Sequence, residues 1–232
     1  MANSSSVQVG TDQEGGQEQS PLNGGVNICD PQGILLQKMT YKKGCLDGLT
    51  EVFSPSGRCL QQLMFADGKL SGNVLFFDEN GDVAQSFIYE DNVLNGPAVF
   101  YKDGCKTLEM LYVGGLQEGK ATYYASNGDV IAEAFYVSGK LEGTFTFFGD
   151  RGAIVRTSSY IADKLEGPSV TYYPDGQPLE EAVYHAGLLE GERRQYYDDG
   201  GLKEIAIFGA GKVQKSVQFD RKGNVCPSKD NG

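Results

Sequence analysis

The chain has 232 residues, of which 32 are glycine, 12 phenylalanine and 13 tyrosine. Its hydrophobic content of 40% is enough for a folded core and excludes an ordinary disordered chain. Abundant glycine without a three-residue period excludes collagen and indicates many turns. Twenty basic and 31 acidic residues give a net charge of −11, which argues against nucleic acid and anionic membranes as partners. The composition favours a turn-rich β protein.

The cysteines and the single histidine, His185, offer little material for metal or redox chemistry. The five cysteines, which form no CxxC pair, are Cys29, Cys45, Cys59, Cys105 and Cys226. Reduced thiols in a cytoplasmic protein are therefore favoured over disulfides or a zinc site. The sequence has no long apolar run and no basic or apolar N-terminal stretch, so we expect neither a spanning helix nor a signal peptide. We expect no metal and no cofactor.

The N-terminal segment, residues 1–27, is rich in Ser, Gln, Glu, Gly and Asn and contains no aromatic residue, Lys or Arg. Such a segment cannot bury enough apolar surface to offset its conformational entropy, so we predict a disordered leader there. A plain chain end and an export leader for a secretion machine share this composition, and the sequence leaves both interpretations open.

From residue 28 to residue 223 the chain repeats with a period of 24 residues. One series of glycines shows the period: Gly33, Gly57, Gly81, Gly104, Gly128, Gly152, Gly176, Gly200 and Gly223. A second series keeps the same spacing: Gly48, Gly72, Gly96, Gly119, Gly143, Gly167 and Gly191. One deletion between Gly96 and Gly104 shortens both series there. A fixed period of this length is typical of a stacked array of one supersecondary unit.

Aromatic residues form two columns in the repeats. The first is Tyr41, Phe65, Tyr89, Tyr112, Tyr136, Tyr160, Tyr184 and Phe208, and the second is Phe53, Phe77, Phe100, Tyr124, Phe148, Tyr172, Tyr196 and Phe219. Three residues after the first column stand residue types that tolerate a left-handed backbone: Gly44, Gly68, Asn92, Gly115, Gly139, Asp163, Gly187 and Gly211. Apolar residues follow period two between the glycines, so each repeat is predicted to be a β-hairpin.

About eight stacked hairpins predict an all-β fold, an elongated single antiparallel sheet of roughly sixteen strands that twists and curls. We place this array at residues 28–223, after the leader at residues 1–27 and before a disordered tail at residues 224–232.

Two segments carry a family resemblance: Tyr-Val-Ser-Gly-Lys-Leu-Glu-Gly at residues 136–143 and Tyr-His-Ala-Gly-Leu-Leu-Glu-Gly at residues 184–191. They resemble the bacterial variant of the MORN repeat (membrane occupation and recognition nexus), and the likeness extends over residues 30–223. Members of this variant are frequently labelled antitoxin-like or immunity-like, and MORN arrays elsewhere serve as protein-binding or lipid-binding scaffolds. Departures are Gln117 in a column of leucines and Gln214 near an expected glycine.

Six repeats contain an aromatic doublet: Phe76-Phe77, Phe100-Tyr101, Tyr123-Tyr124, Phe147-Phe148, Tyr172-Tyr173 and Tyr196-Tyr197. Neighbouring strand residues point to opposite faces, so one member of each doublet is expected on a second face. We predict a protein-binding stripe formed by Tyr123, Phe147, Tyr173 and Tyr197. Cross-strand packing on both sides of a single-layer sheet explains the doublets equally well.

An acidic column precedes the second glycine series and consists of Glu118, Glu142, Glu166 and Glu190, with Asp47, Ser71 and Asn95 in the earlier repeats. A ladder of like charges predicts recognition of a basic partner, because complementary charge speeds encounter and selects the ligand. A solvated edge that Lys140 and Lys164 neutralise locally is the structural alternative, and the sequence favours it.

With one histidine, no nucleophile elbow and no phosphate loop, the chain is expected not to be an enzyme. We predict a non-enzymatic protein-binding scaffold, most specifically an antitoxin-like or immunity-like protein that neutralises a partner by occlusion. The alternatives are a lipid-associated MORN scaffold and an exported effector with an N-terminal secretion leader. The sequence specifies neither the partner nor the oligomeric state.

Overall fold

The structure is a computed structural model that describes residues 7–9 and 21–226 and divides the chain into two units, Met1–Leu116 and Gln117–Gly232. The strands of the first unit are β1 (Val7–Val9), β2 (Gly24–Cys29), β3 (Leu35–Lys42), β4 (Cys45–Leu46), β5 (Gly48–Phe53), β6 (Cys59–Ala66), β7 (Lys69–Phe77), β8 (Val83–Glu90), β9 (Val93–Leu94), β10 (Gly96–Lys102) and β11 (Cys105–Val113). Strand β12 (Leu116–Gln117) spans the boundary between the units.

The strands of the second unit are β13 (Gly119–Tyr124), β14 (Val130–Val137), β15 (Lys140–Leu141), β16 (Gly143–Phe148), β17 (Ile154–Ile161), β18 (Lys164–Tyr172), β19 (Pro178–His185), β20 (Leu188–Leu189), β21 (Gly191–Tyr196), β22 (Leu202–Gly209) and β23 (Lys212–Gln218). A short 3-10 helix occupies Asp150–Gly152. Successive strands within each unit pair antiparallel, as β5 does with β6 and β13 with β14. The predicted all-β class and the hairpin repeat are confirmed.

Register places each second-series glycine opposite a first-column aromatic residue, as in the pairs Gly48–Phe65 and Gly119–Tyr136. At the end of each strand pair that lies away from this glycine, the register shifts by one residue, which indicates a β-bulge. In β13 the shift lies between Tyr123 and Tyr124. The bulge is also present in the shortened repeat, where the shift lies between Phe100 and Tyr101.

The two-residue turns have positive φ at both central residues, the pattern of a type I′ turn. Gly139 has a φ of 80° and Asn92 a φ of 70°, so the predicted left-handed positions are confirmed. The preceding residue is left-handed too, with a φ of 51° at Ser138, which the sequence pattern did not predict.

The other turn of the repeat has five residues in most copies and is closed by backbone hydrogen bonds. In the first unit the N–H of Ser54 donates to the carbonyl of Arg58 at 2.8 Å. The predicted deletion falls in this turn, because β10 and β11 are joined by only Asp103 and Gly104, both with positive φ.

The core of each unit is a row of buried residues, most of them small, that face each other across the strands. Buried pairs are Val26 with Met39 and Ala98 with Met110 in the first unit, and Ala121 with Ala134 and Ser169 with Ala182 in the second. Val74 is buried opposite the half-buried Phe87. Half-buried first-column aromatics stand two residues away on the same side and cover them. We call this side of the sheet the core face and the opposite side the open face.

The array begins earlier than the sequence boundary at residue 28 suggested. Strand β2 starts at Gly24, which continues the second glycine series 24 residues before Gly48 and has a similar φ, 98° against 109°. Strand β1 also lies within residues 1–27. Of the predicted tail at residues 224–232, residues 224–226 are ordered, because Val225 forms a β-bridge with Phe219 and the N–H of Cys226 donates to the carbonyl of Gln218. The leader residues 1–6 and 10–20 and the tail residues 227–232 lie outside the described residues, so their disorder stays a prediction.

Candidate binding surfaces

The acidic column of the second unit docks each repeat onto the next. Each carboxylate accepts a hydrogen bond from the backbone N–H of the first residue of the following two-residue turn, 20 residues later. The donor nitrogens and their distances are Ser138 to Glu118 at 2.8 Å, Ala162 to Glu142 at 2.9 Å, Ala186 to Glu166 at 2.6 Å and Ala210 to Glu190 at 2.7 Å.

The second residue of the same turn also donates to the preceding repeat. The N–H of Gly139 donates to the carbonyl of Gln117 at 2.8 Å, and the N–H of Asp163 to that of Leu141 at 3.0 Å. Two turn donors that lie outside their own hairpin ladder are therefore satisfied by the neighbouring repeat. The predicted acidic site residues thus have a structural role, and binding through them stays a prediction.

In the first unit the same position is filled by shorter acceptors, some of them uncharged. Asn23 Oδ1 accepts from the N–H of Lys43 at 2.7 Å, and Asn95 Oδ1 accepts from the N–H of Gly114 at 3.2 Å. A neutral amide oxygen can therefore take the place of the carboxylate in this column.

Glu166 makes one additional contact, because its Oε1 lies 2.7 Å from Nδ1 of His185. The hydrogen bond from the N–H of Ala186, followed by the one with His185, lowers the pKa of Glu166 below its ordinary value. The side chain of His185 is 73% exposed, as expected for a residue beside a turn.

The four predicted aromatic residues do not form one stripe. Tyr123 and Phe147 lie on the core face, where the ring of Phe145 stacks at 6.0 Å from Tyr123 and 4.4 Å from Phe147. This cluster packs within the second unit.

Tyr173 and Tyr197 instead begin five-residue turns, because their doublets lie one residue further from the preceding glycine than the doublet at Tyr123. The hydroxyl of Tyr173 donates to the carbonyl of Tyr196 at 2.9 Å, and that of Tyr197 to the carbonyl of Phe219 at 2.8 Å. The expectation of a common face is therefore wrong for these two residues, which tie neighbouring repeats together.

The ring of Tyr197 is further covered by Arg221, whose guanidinium carbon lies 4.8 Å from the ring centroid. Arg221 also pairs with Asp198 at 2.6 Å and Asp199 at 3.1 Å, and this hydrogen bond lowers the pKa of Asp198. The face of Tyr197 therefore already has a cationic partner within the chain.

The open face of the first unit carries an apolar row that the sequence analysis missed. The row crosses successive strands and consists of Leu49, Met64, Ile88, Pro97 and Leu111, with the polar residue Asn73 between Met64 and Ile88. The side chains of Leu49, Met64 and Leu111 are 38%, 37% and 42% exposed. The available signal was the apolar triplets at residues 63–65, 87–89 and 110–112, since strict alternation predicts a polar middle residue.

The second glycine series makes room for this row. A Cβ atom on Gly96 would lie 2.9 Å from the Cβ of Ile88, and one on Gly72 would lie 3.2 Å from Cγ of Met64. The side chains of Met64 and Ile88 thus pack against the backbone of these glycines on one side and are exposed to solvent on the other.

In the second unit the equivalent row is interrupted at more positions. Phe135, Val183 and Ile207 are 46%, 47% and 39% exposed, but they alternate with polar positions such as Lys120 and Glu192. The first unit therefore presents the more continuous apolar surface.

Three segments of the second unit, residues 117–138, 165–186 and 189–208, match the family described as MORN repeat variant. These three segments are similar to MORN-variant repeats. The matched segments start at intervals of 48 and 24 residues, in register with the structural repeat. MORN repeats in general bind proteins or membranes. No curated protein matches this chain.

Among solved structures, this chain is similar to part of a point mutant of S. aureus TarM in complex with Fondaparinux, alpha-GlcNAc-glycerol and UDP. The identity is 17% over 41% of this chain and 19% of that chain, with a TM-score of 0.31. A TcdB2-TccC3-Cdc42 structure is 13% identical over 87% of this chain and 15% of that chain, with a TM-score of 0.17. Neither similarity is high enough to support an argument about function.

Within residues 7–9 and 21–226, no group of three His, Cys, Asp or Glu side chains is arranged to hold a metal ion. The part of the chain that the structure describes also contains no helix with the length and hydrophobicity needed to cross a bilayer.

Proposed function

We propose that this protein is a non-enzymatic protein-binding scaffold whose main contact surface is the apolar row on the open face of the first unit. The observation that carries the proposal is the exposure of Leu49, Met64 and Leu111 in a row that only one polar residue, Asn73, interrupts within the first unit. Apolar surface rimmed by polar groups is typical of interaction sites, and soluble monomers seldom expose it without a use.

The flanking charges support a protein partner with a mixed apolar and polar surface. Glu51 lies near the row and pairs with Lys38 at 3.7 Å, so the rim is partly neutralised within the chain. The net charge of −11 favours encounter with a basic protein through long-range attraction.

The turn docking between repeats supports a preorganised surface. In the next turn, the N–H of Gly114 donates to Oδ1 of Asn95 at 3.2 Å, and the N–H of Gly115 donates to the carbonyl of Leu94 at 2.9 Å. Adjacent hairpins are therefore fixed relative to each other. A surface held in this way loses little conformational entropy on binding.

The most specific form of the proposal is an antitoxin-like or immunity-like protein that acts in the cytoplasm and occludes a partner's functional surface. Its support is the likeness to the MORN variant and the exposed apolar row. A purified partner that loses its activity on addition of one equivalent of this protein would support this form. Full partner activity in a stable complex would reject occlusion and leave the scaffold proposal intact.

The contact surface is tested with the triple variant Met64→Thr, Ile88→Thr and Leu111→Thr, in which threonine copies Thr40 at the equivalent position. We expect capture of the partner to weaken at least about tenfold, since several buried apolar contacts are lost. The matched control is Phe135→Thr with Val183→Thr on the open face of the second unit. Equal loss in both variants would contradict the assignment to the first unit.

The sequence-predicted residues are tested in parallel. Replacing Glu118, Glu142, Glu166 and Glu190 by Gln, and separately replacing Tyr173 and Tyr197 by Ala, would reduce capture if they form the contact surface. A lipid-associated function is tested by co-sedimentation with anionic vesicles at low salt. If the parent sediments with the vesicles and the threonine triple variant does not, the apolar row binds membranes rather than a protein.

A further inference from the structure

Strand β2 (Gly24–Cys29) has an edge without the usual protection against pairing. It pairs through six residues with β3 on one side, and its sequence, Gly-Gly-Val-Asn-Ile-Cys, contains no charged residue. Sheet edges in natural proteins are commonly blunted by Lys, Pro or charge. The last strand of the second unit, β23, follows this rule with Lys212 and Lys215. The sequence of β2 provides no such protection.

The other side of β2 is covered by β1, which contributes only three residues. The register is Val7 opposite Ile28, Gln8 opposite Asn27 and Val9 opposite Val26, so Gly24, Gly25 and Cys29 have no partner in β1. Strand β1 pairs with β2 through three residues, whereas β3 pairs with β2 through six, so β1 is held by fewer backbone contacts than the hairpin strands are.

Strand β2 keeps its place independently of β1. The residues before it dock on the first two-residue turn: the carbonyl of Leu22 accepts from the N–H of Gly44 at 2.9 Å, and Asn23 Oδ1 accepts from the N–H of Lys43 at 2.7 Å. Val26 is 4% exposed and faces Met39 in the core row. The edge therefore persists when β1 is displaced.

We propose that the edge of β2 is a strand-acceptor site, at which an extended, uncharged segment of a partner protein pairs with Gly24–Cys29 in place of Val7–Val9. The chain's own strand defines the chemistry of the occupant: β-branched apolar residues opposite Val26 and Ile28, with a polar residue between them. In such complexes the backbone hydrogen bonds supply affinity and alternate side chains supply specificity.

The tethered strand competes with the partner because it is present at high effective concentration. A partner strand overcomes this advantage by pairing with all six residues of β2 rather than with three. Val7–Val9 thus acts as a cover that protects the edge of β2 until a longer strand of a partner displaces it.

The test uses the full chain with the cover disabled by Val7→Pro and Gln8→Pro. Strand residues alternate in the direction of their N–H groups, so two adjacent prolines remove at least one donor that faces β2. The probe is a fluorescein-labelled peptide with the sequence of residues 4–11, Ser-Ser-Ser-Val-Gln-Val-Gly-Thr. The matched control, Ser4→Pro with Ser5→Pro, carries the same prolines outside the strand.

We expect fluorescence anisotropy to show binding to the Val7→Pro/Gln8→Pro variant at least about tenfold tighter than to the parent and the control, because the tethered competitor is gone. Amide exchange of residues 24–29 is expected to accelerate in that variant and to slow again with the peptide. A peptide with Lys in place of both valines is expected not to bind.

Equal binding by all three proteins, no binding by any, or protection outside residues 24–29 would overturn the proposal. The threonine triple variant of the open face is expected to bind the peptide like the parent. The peptide experiment therefore tests the strand-acceptor site at β2 separately from the proposed contact surface on the open face.

Discussion

Oε2 of Glu142 accepts a hydrogen bond from the backbone N–H of Ala162 at 2.9 Å, across 20 residues of sequence. Ala162 is the first residue of a type I′ turn, with a φ of 49°, and its N–H lies outside the hairpin ladder. In the second unit the glutamate before each second-series glycine therefore caps the next two-residue turn. This contact explains how neighbouring hairpins keep a fixed register in a single-layer sheet.

Removing this acceptor should destabilise the second unit. We expect Glu142→Ala to lower the free energy of unfolding by about 0.5–1.5 kcal/mol, because the N–H of Ala162 loses its partner. Glu142→Gln keeps an acceptor oxygen and should cost less than half as much. Urea denaturation at neutral pH measures both, with Glu79→Ala in an exposed turn as the control. A Glu142→Ala midpoint equal to that of the parent would show that the carboxylate is merely solvated.

Acid should weaken the same contact at Glu166. Its pKa is lowered in the folded protein by the N–H of Ala186 and by His185, so protonation favours the unfolded state. The stabilisation is present above the ordinary glutamate pKa and is lost as the pH falls through the lowered value. We expect the melting temperature of the parent to exceed that of Glu166→Gln at pH 7 and the difference to shrink at about pH 3. A constant difference across this range would contradict the assignment.

The glycine series and the aromatic columns were sufficient to predict the hairpin repeat, because turns and strand alternation are local properties of the sequence. Gly24 also fits the second glycine series, but it was assigned to the leader because residues 1–27 contain few apolar residues. The role of Glu142 depends on which turn lies beside it, which period alone does not specify. The doublet at Tyr173 was misplaced because a shift of one residue relative to the glycine moves a side chain from the sheet into a turn.

The turn assignment is tested at Gly139, whose φ is 80° and whose N–H docks on Gln117. A β-branched residue is strained in this conformation, so Gly139→Val should cost about 1–3 kcal/mol in the free energy of unfolding. Ser138→Gly in the same turn should be neutral or stabilising, because Ser138 also has a positive φ. Thermal or urea unfolding compares the two, and parent-like stability of Gly139→Val would refute the turn geometry.

Asn92 occupies the position of Gly139 in the first unit but adds a contact. Its Oδ1 accepts a hydrogen bond from the N–H of Leu70 at 2.8 Å, and Asp163 accepts from Leu141 in the same way. Relief of backbone strain in Asn92→Gly is therefore opposed by loss of this bond, and we expect a net cost of up to about 1 kcal/mol. A clearly stabilised Asn92→Gly protein in urea denaturation would show that the side chain contributes nothing.

A substitution at Thr50 should stabilise the first unit. Thr50 belongs to the core row, is 6% exposed, and within the described residues its Oγ1 has no hydrogen-bond partner. Burying an unpaired hydroxyl is unfavourable, and Val74 shows that valine fits the equivalent position of the next repeat. We expect Thr50→Val to raise the free energy of unfolding by about 1 kcal/mol in urea denaturation. Thr50→Ala is the matched control, because it removes the hydroxyl but also leaves a gap in the core. We expect it to be less stable than Thr50→Val by about 1 kcal/mol. A Thr50→Val protein less stable than the parent would show that the hydroxyl is satisfied in solution.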